Sequence, residues 1–293
     1  MNVSANDDVR LLREVRDNAA ERLGAAGILD AAIDAELLIG HVIGLSRGEI
    51  QARIVTDSTI SEADAALIEP LVARRALREP LQHITGVAPF RSLELAVGPG
   101  VFVPRPETEQ VAQIAIDALH AAAAASPIGV DLGTGSGAIA LAMATEVPRA
   151  RIWAVENSPE AFVWTSRNFR ETDAANATLQ FADLADALHE LDGTVSVVIS
   201  NPPYIPQDAI PRDPEVRLFD PEHALYGGAD GLDVVRHVSQ TALRLLHPGG
   251  TLVMEHGELQ AAEIAALLVA DGWRAVASHR DFTTCDRATT ALR

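Results

Sequence analysis

The chain has 293 residues, enough for two domains, and 48% of them are hydrophobic, a composition that builds a sizeable core and argues against disorder. The formal net charge is −18 and all 23 basic residues are arginine, which excludes Schiff-base and P-loop lysine chemistry and disfavours general nucleic-acid binding. The single cysteine, Cys285, excludes an intrachain disulfide and any CxxC redox or zinc motif, so no metal is expected.

Residues 9–79 carry apolar side chains at helical spacing in LLREVRDNAAERL, ILDAAIDAELLIGHVIG and SEADAALIEPLVARRALRE, with Asp30 and Ser61 as expected caps and glycines between the helices. The charged start of the chain and the lack of a long apolar run lead to the expectation of a cytoplasmic protein without a membrane segment. From Leu81 the texture changes to HITGVAPFRSLELAVGPGVFVPRPETE, which alternates side chains and places glycine or proline at turns, as a β-hairpin or extended linker does. The expected division is a helical domain over 1–80, a β-hairpin linker over 81–104 and an α/β domain over 105–293. In the last, a helix over 107–125, ending in an alanine run, precedes the strand IGVDL; LAMATEV, IWAVE, TLQFA and VSVVIS follow. A helix over 232–246, the strand TLVMEH, a helix over 259–270 and two strands near WRAVASH and RATTALR complete the chain. Such alternation predicts a mostly parallel sheet covered on both faces.

Two local words carry chemistry. Val130-Asp131-Leu132-Gly133-Thr134-Gly135-Ser136-Gly137 follows a strand and opens a helix, so its glycines permit a tight turn while the helix start offers free N–H groups to a ligand. With Ala138 it also satisfies the dinucleotide pattern GxGxxA, and Glu156, 19 residues after Gly137, is placed for a ribose in either case. Asp131 favours S-adenosylmethionine over NAD, because a carboxylate there orients the loop or meets an ammonium, whereas a pyrophosphate is anionic. Asp183, after the third strand, is placed for an adenine amino group.

The second word is Asn201-Pro202-Pro203-Tyr204, directly after VSVVIS. Two prolines make a stiff turn that continues neither strand nor helix. The Asn201 side-chain carbonyl and the Pro202 backbone carbonyl are two acceptors able to grip both hydrogens of a planar NH₂ group, and Tyr204 can cover its flat face. Methyl transfer then depends on placement more than on a strong base.

HITGVAPFRSLEL, FVPRPETE, VDLGTGSGAIAL, NPPYIP, EVRLFDPEHALYGGADGLD and EHGELQ together resemble the release factor glutamine methyltransferases, the PrmC or HemK family. The resemblance implies a Rossmann-like class I methyltransferase domain with a seven-stranded sheet, a helical substrate-docking domain, S-adenosylmethionine as methyl donor, S-adenosylhomocysteine as product and peptide chain release factors as protein substrates. It further implies that Gly133, Thr134, Gly135, Ser136 and Gly137 line the cofactor, that Glu156 binds the ribose hydroxyls and that Asp183 and Leu184 flank the adenine. Asn201, Pro202, Pro203 and Tyr204 would hold the substrate amide, with Asn201 also near the donor, while Phe102, Arg105 and Glu107 would shape the entry. Two departures are visible: Glu156 stands where aspartate is frequent, which preserves the hydroxyl contact, and Leu184 stands where an aromatic is common. Adenine-N6 methylation of nucleic acid and a non-catalytic donor-binding module are the competing readings; the acidic surface opposes the first and intact Asn201 and Tyr204 oppose the second.

Overall fold

The computed structural model describes residues 9–293. The first eight residues, which belong to the expected 1–80 domain and to the charged start of the chain, lie outside the described residues. The chain forms two units. One ends at Gly86 and also takes in Arg212–Phe219; the other comprises Val87–Pro211 and Asp220–Arg293.

The first unit pairs two short antiparallel strands, β1 (Val9–Leu11) and β2 (Thr59–Ser61), beside helices α1 (Leu12–Ala25), α2 (Ala31–Ile43), α3 (Arg47–Val55), α4 (Glu62–Ala76) and α5 (Leu81–Thr85). Leu12, Leu23, Leu38, Ile39, Ile50 and Ile68 form its core, each such burial contributing about 1.5–3 kcal/mol. Ser46 and Glu49 form a reciprocal capping box at the start of α3, and the Ser61 hydroxyl accepts from the Asp64 N–H at 3.0 Å at the start of α4. Asp30 precedes α2 without a side-chain cap bond. Residues 81–85, read from sequence as linker, form a helical turn that Gly86 ends at φ 75°.

In the second unit, β3 (Val87–Phe90) and β4 (Leu93–Ala96) make the expected hairpin, followed by α6 (Pro106–Ala121), β5 (Ile128–Leu132), α7 (Ala138–Glu146), β6 (Arg151–Glu156), α8 (Pro159–Thr172), β7 (Ala177–Phe181) and β8 (Val195–Ser200). After α9 (Pro214–Phe219), which belongs to the first unit, come α10 (Glu222–Leu225), α11 (Asp233–Leu245), β9 (Leu246–Glu255), α12 (Ala261–Ala270), β10 (Arg274–Arg280) and β11 (Asp286–Leu292). The expected seven-stranded, mostly parallel sheet is present, in the order β10-β11-β9-β8-β5-β6-β7, with β11 antiparallel to both its neighbours. Strands β5 and β8 are buried at every residue, as parallel strands covered on both faces must be. Alternate residues divide between two cores: Val197 and Ile199 pack with α6 and α7, whereas Val198 packs with α11 and α12.

The chain builds outward from β5 through β6 to β7, then returns to place β8 on the other side of β5. Reversal of strand order opens a crevice at the carboxyl ends of the two strands where it occurs. Both chemical words of the sequence lie there.

Candidate active site

At the end of β5, Gly133 and Thr134 both donate backbone N–H to the Val155 carbonyl at 2.9 Å, which turns the chain back over the sheet. Gly133, Gly135 and Gly137 take φ values of 73°, 58° and 87°, a region that strains other residues. A Cβ on Gly133 or Gly135 would meet nothing within 4 Å, so this backbone borders open space, whereas one on Gly137 would lie 3.0 Å from the Phe169 ring. The loop thus offers an uncovered backbone cradle of the kind a nucleoside donor fits.

Asp131 is wholly buried beneath the cradle. Its Oδ2 accepts from the Thr134 hydroxyl at 2.5 Å and the Ala140 N–H at 3.2 Å, while its Oδ1 has no hydrogen-bond partner among the described residues. Burial pushes this carboxyl up to about 7. Glu156, at the end of β6, accepts from Gly135 N–H at 2.8 Å through Oε2 and from the N–H groups of Asn157 and Ser158 at 3.0 and 2.8 Å through Oε1. A carboxylate has about four acceptor positions, so room remains for a ligand hydroxyl. Asp183, beyond β7, accepts from Asn157 Nδ2 at 3.1 Å and Ala185 N–H at 2.9 Å, and neighbouring Leu184 packs on the core shared with α11 and α12.

Helix α8 brackets the cradle through residues that periodicity did not single out. The Thr165 hydroxyl donates to the Gly135 carbonyl. Asn168 donates to the carbonyls of Ser136 at 2.9 Å and Ala96 at 3.0 Å, and its Oδ1 accepts from Ala96 N–H at 2.7 Å. One buried amide therefore joins the glycine loop to the hairpin.

The Asn201–Tyr204 turn leaves β8 immediately beside this loop. Parallel pairing sets Asp131 against Ile199, and the Ser200 hydroxyl donates to the Leu132 carbonyl at 2.7 Å, tying the last residues of the two strands together. Neither the Asn201 side chain nor the Pro202 carbonyl has a hydrogen-bond partner among the described residues. The later part of the turn is held firmly. The Tyr204 carbonyl accepts from Gln260 Nε2 at 2.8 Å, Ile205 N–H donates to the Leu225 carbonyl at 2.8 Å and Gly227 N–H donates to the Ile205 carbonyl at 2.9 Å. A Cβ on Gly227 would lie 2.5 Å from the Pro203 carbonyl oxygen, and one on Gly231 would collide with that of Tyr204. The YGGADGLD segment is thus a cradle for the turn, requiring glycine where two backbones touch.

Before α6, the Arg105 guanidinium lies 5.0 Å from the Phe102 ring centre and donates to the buried Asp220 carboxylate at 2.6 Å. Burial and the charge of Glu255 push the Tyr204 phenol up to about 12, with Arg287, Glu107 and Arg105 also bearing on it. Glu255 itself, 2% exposed at the end of β9, accepts from the Thr108 hydroxyl at 3.0 Å through Oε1 and leaves Oε2 buried and without a hydrogen-bond partner among the described residues. Sequence reading assigned Glu255 no role, although it ends the apolar strand TLVME and opens the word EHGELQ.

Among the described residues, no group of three or more His, Cys, Asp or Glu could hold a metal ion, and no helix is long and apolar enough to cross a membrane.

Residues 14–86 match the model of the PrmC N-terminal domain and residues 92–220 that of the methyltransferase small domain. The chain is 48% identical to the release factor glutamine methyltransferase of Streptomyces coelicolor, over 97% of this chain and 98% of the relative. It is 44% identical to that of Bifidobacterium longum, over 94% and 98%. A 4-amino-L-phenylalanine/4-methylamino-L-phenylalanine methyltransferase of Streptomyces pristinaespiralis is 39% identical, over 96% and 95%.

Proposed function

The chain belongs to the release factor glutamine methyltransferase family, and from that premise we propose that it transfers a methyl group from S-adenosylmethionine to the side-chain amide nitrogen (N5) of the glutamine in the Gly-Gly-Gln motif of peptide chain release factors, modulating translation termination. The observation that carries the reading is a pair of acceptors without partners among the described residues, Asn201 Oδ1 and the Pro202 carbonyl, on a braced turn next to an open glycine cradle.

S-adenosylmethionine, held by residues 133–137 with Glu156 on its ribose and Asp183 and Leu184 at its adenine, supplies a methyl group on an electrophilic sulfonium centre. Asn201 and Pro202 accept the two amide hydrogens, fix the nitrogen in line and draw electron density onto it. Tyr204, neutral at physiological pH, covers the flat face of the amide, and Phe102, Arg105 and Pro203 shape its entry. With the donor bound there, the nitrogen would gain the methyl carbon while sulfur kept the electron pair of the broken carbon–sulfur bond, and one proton of the nitrogen would pass to water. Placement of this kind is worth up to about 7–11 kcal/mol. The helical unit docks the folded substrate; its own core and its exposed Leu29, Val55, Leu67 and Leu77 support that role.

Purified protein with labelled donor should methylate a release factor at its Gly-Gly-Gln glutamine, leave a Gly-Gly-Glu variant and DNA unlabelled, and turn over short Gly-Gly-Gln peptides poorly. A carboxylate has no N–H to give the two acceptors, and sites built around such a bond reject its absence by about 10⁴-fold. Label in DNA, or equal label in the glutamate variant, would overturn the reading.

A further inference from the structure

Glu255 is the buried group that this chemistry leaves unused. It lies one residue beyond the Ser200–Met254 pair that ends the β8–β9 register, at the strand end from which the 201–204 turn leaves, and its Oε1 receives the hydroxyl of Thr108 from the first turn of α6, which follows Phe102 and Arg105. We infer that Glu255 works as an uncharged carboxylic acid that positions residues 102–108 against the 201–204 turn, and that loss of its proton disturbs the acceptor site. The inference rests on the proposed glutamine chemistry and adds a positioning residue to it.

Burial and Glu107 favour the neutral form, against the Thr108 bond and Arg287. Arg287 on β11 bears on Glu255 as a positive charge, yet its Nε donates to Asp281 at 3.1 Å and it forms no ion pair with Glu255. Glu107 on α6 opposes a second negative charge, and Tyr204 faces the same region as an uncharged phenol, with Arg105 also bearing on the phenol. His256, next along the strand, is committed to Thr289 and the Gly257 carbonyl, and burial holds its pKa down. An ionised carboxylate buried without an ion-pair partner costs far more than one unmade hydrogen bond, so the acid form persists. Burial holds it up to about 8, with the Thr108 bond and Arg287 opposing and Glu107 adding. Ionisation would set charge beside Glu107 and the Tyr204 ring, draw Arg287 from Asp281 and loosen the entry segment.

Glu255→Gln keeps the shape and the acceptor for Thr108 but cannot ionise. At about pH 7 its kcat and KM for the whole release factor should stay within about threefold of wild type, and the fall in wild-type activity near pH 8 should vanish. Glu255→Ala should raise KM for the release factor about tenfold with donor affinity unmoved. An infrared band of a protonated carboxyl should persist in the free wild-type protein to about pH 8, whereas Glu255→Gln should lack that component and keep only the one that Asp131 loses near pH 7. The inference is overturned if Glu255→Gln is as impaired as Glu255→Ala, if the two pH profiles coincide, or if that band is absent. The infrared readout needs no substrate, so failure of the glutamine reading and failure of this inference are separable.

Discussion

Buried carboxyls are treated in opposite ways in the two units. In the helical unit, Arg75 donates to Asp34 at 2.7 Å and Glu215 at 2.8 Å, and Arg78 donates to Glu215 at 2.6 Å. Burial alone would push Glu215 up, yet hydrogen bonds with Asp213, Arg75 and Arg78 outweigh it and hold this carboxyl well below its usual range. At the crevice of the other unit, Asp131 and Glu255 each keep one oxygen without a partner and neither has an ion pair among the described residues, so burial wins and both are pushed up. The same residue types serve two ends: paired, they hold a short segment in place; unpaired, they keep polar groups ready for a ligand or hold a neutral acid where charge would harm.

That contrast predicts where damage goes. Asn201→Ala should lower methyl transfer by about 10³-fold, equivalent to about 4 kcal/mol, while donor affinity measured by calorimetry stays within about threefold. Equal loss of both would move Asn201 from the acceptor site to the donor site. Glu215→Ala should instead cost stability, about 3 kcal/mol by denaturant titration, because it strips Arg75 of one of its two buried partners. A change of less than about 0.5 kcal/mol would mean that the arginines are relieved by water and that the contrast is false. Gly227→Ala falls between the two kinds: the added carbon would press on the Pro203 carbonyl, costing about 1–2 kcal/mol of stability and a fall in kcat larger than any change in donor binding.

Much of the site was legible because its two words are local. A glycine loop after a strand and a proline turn after another announce themselves within a few residues, and apolar periodicity announces the sheet. What escaped depends on distant partners. Nothing near Asn168 shows that its amide will span Ser136 and Ala96, and nothing near Gly227 shows that the Pro203 carbonyl will lie against it. The expected helix over 107–125 ends at Ala121 despite continuing alanines. Arg149 gathers the carbonyls of Leu119, His120, Ala122 and Ala124 at 2.7–3.3 Å, an arginine cap contributed from the far side of β5. Segment Arg212–Phe219 likewise gave no compositional sign that it joins the helical unit, since that follows from Glu215 meeting two arginines remote in sequence.

The Ser200 hydroxyl on the Leu132 carbonyl has a metrological meaning. In the proposed assignment, donor loop and acceptor turn hang from neighbouring rails whose separation, about 4.8 Å, is a constant of backbone geometry. The gauge between the two reactants is therefore set by the sheet itself, and descendants of this scaffold are free to exchange the molecule being modified without recalibrating the distance its methyl group must travel.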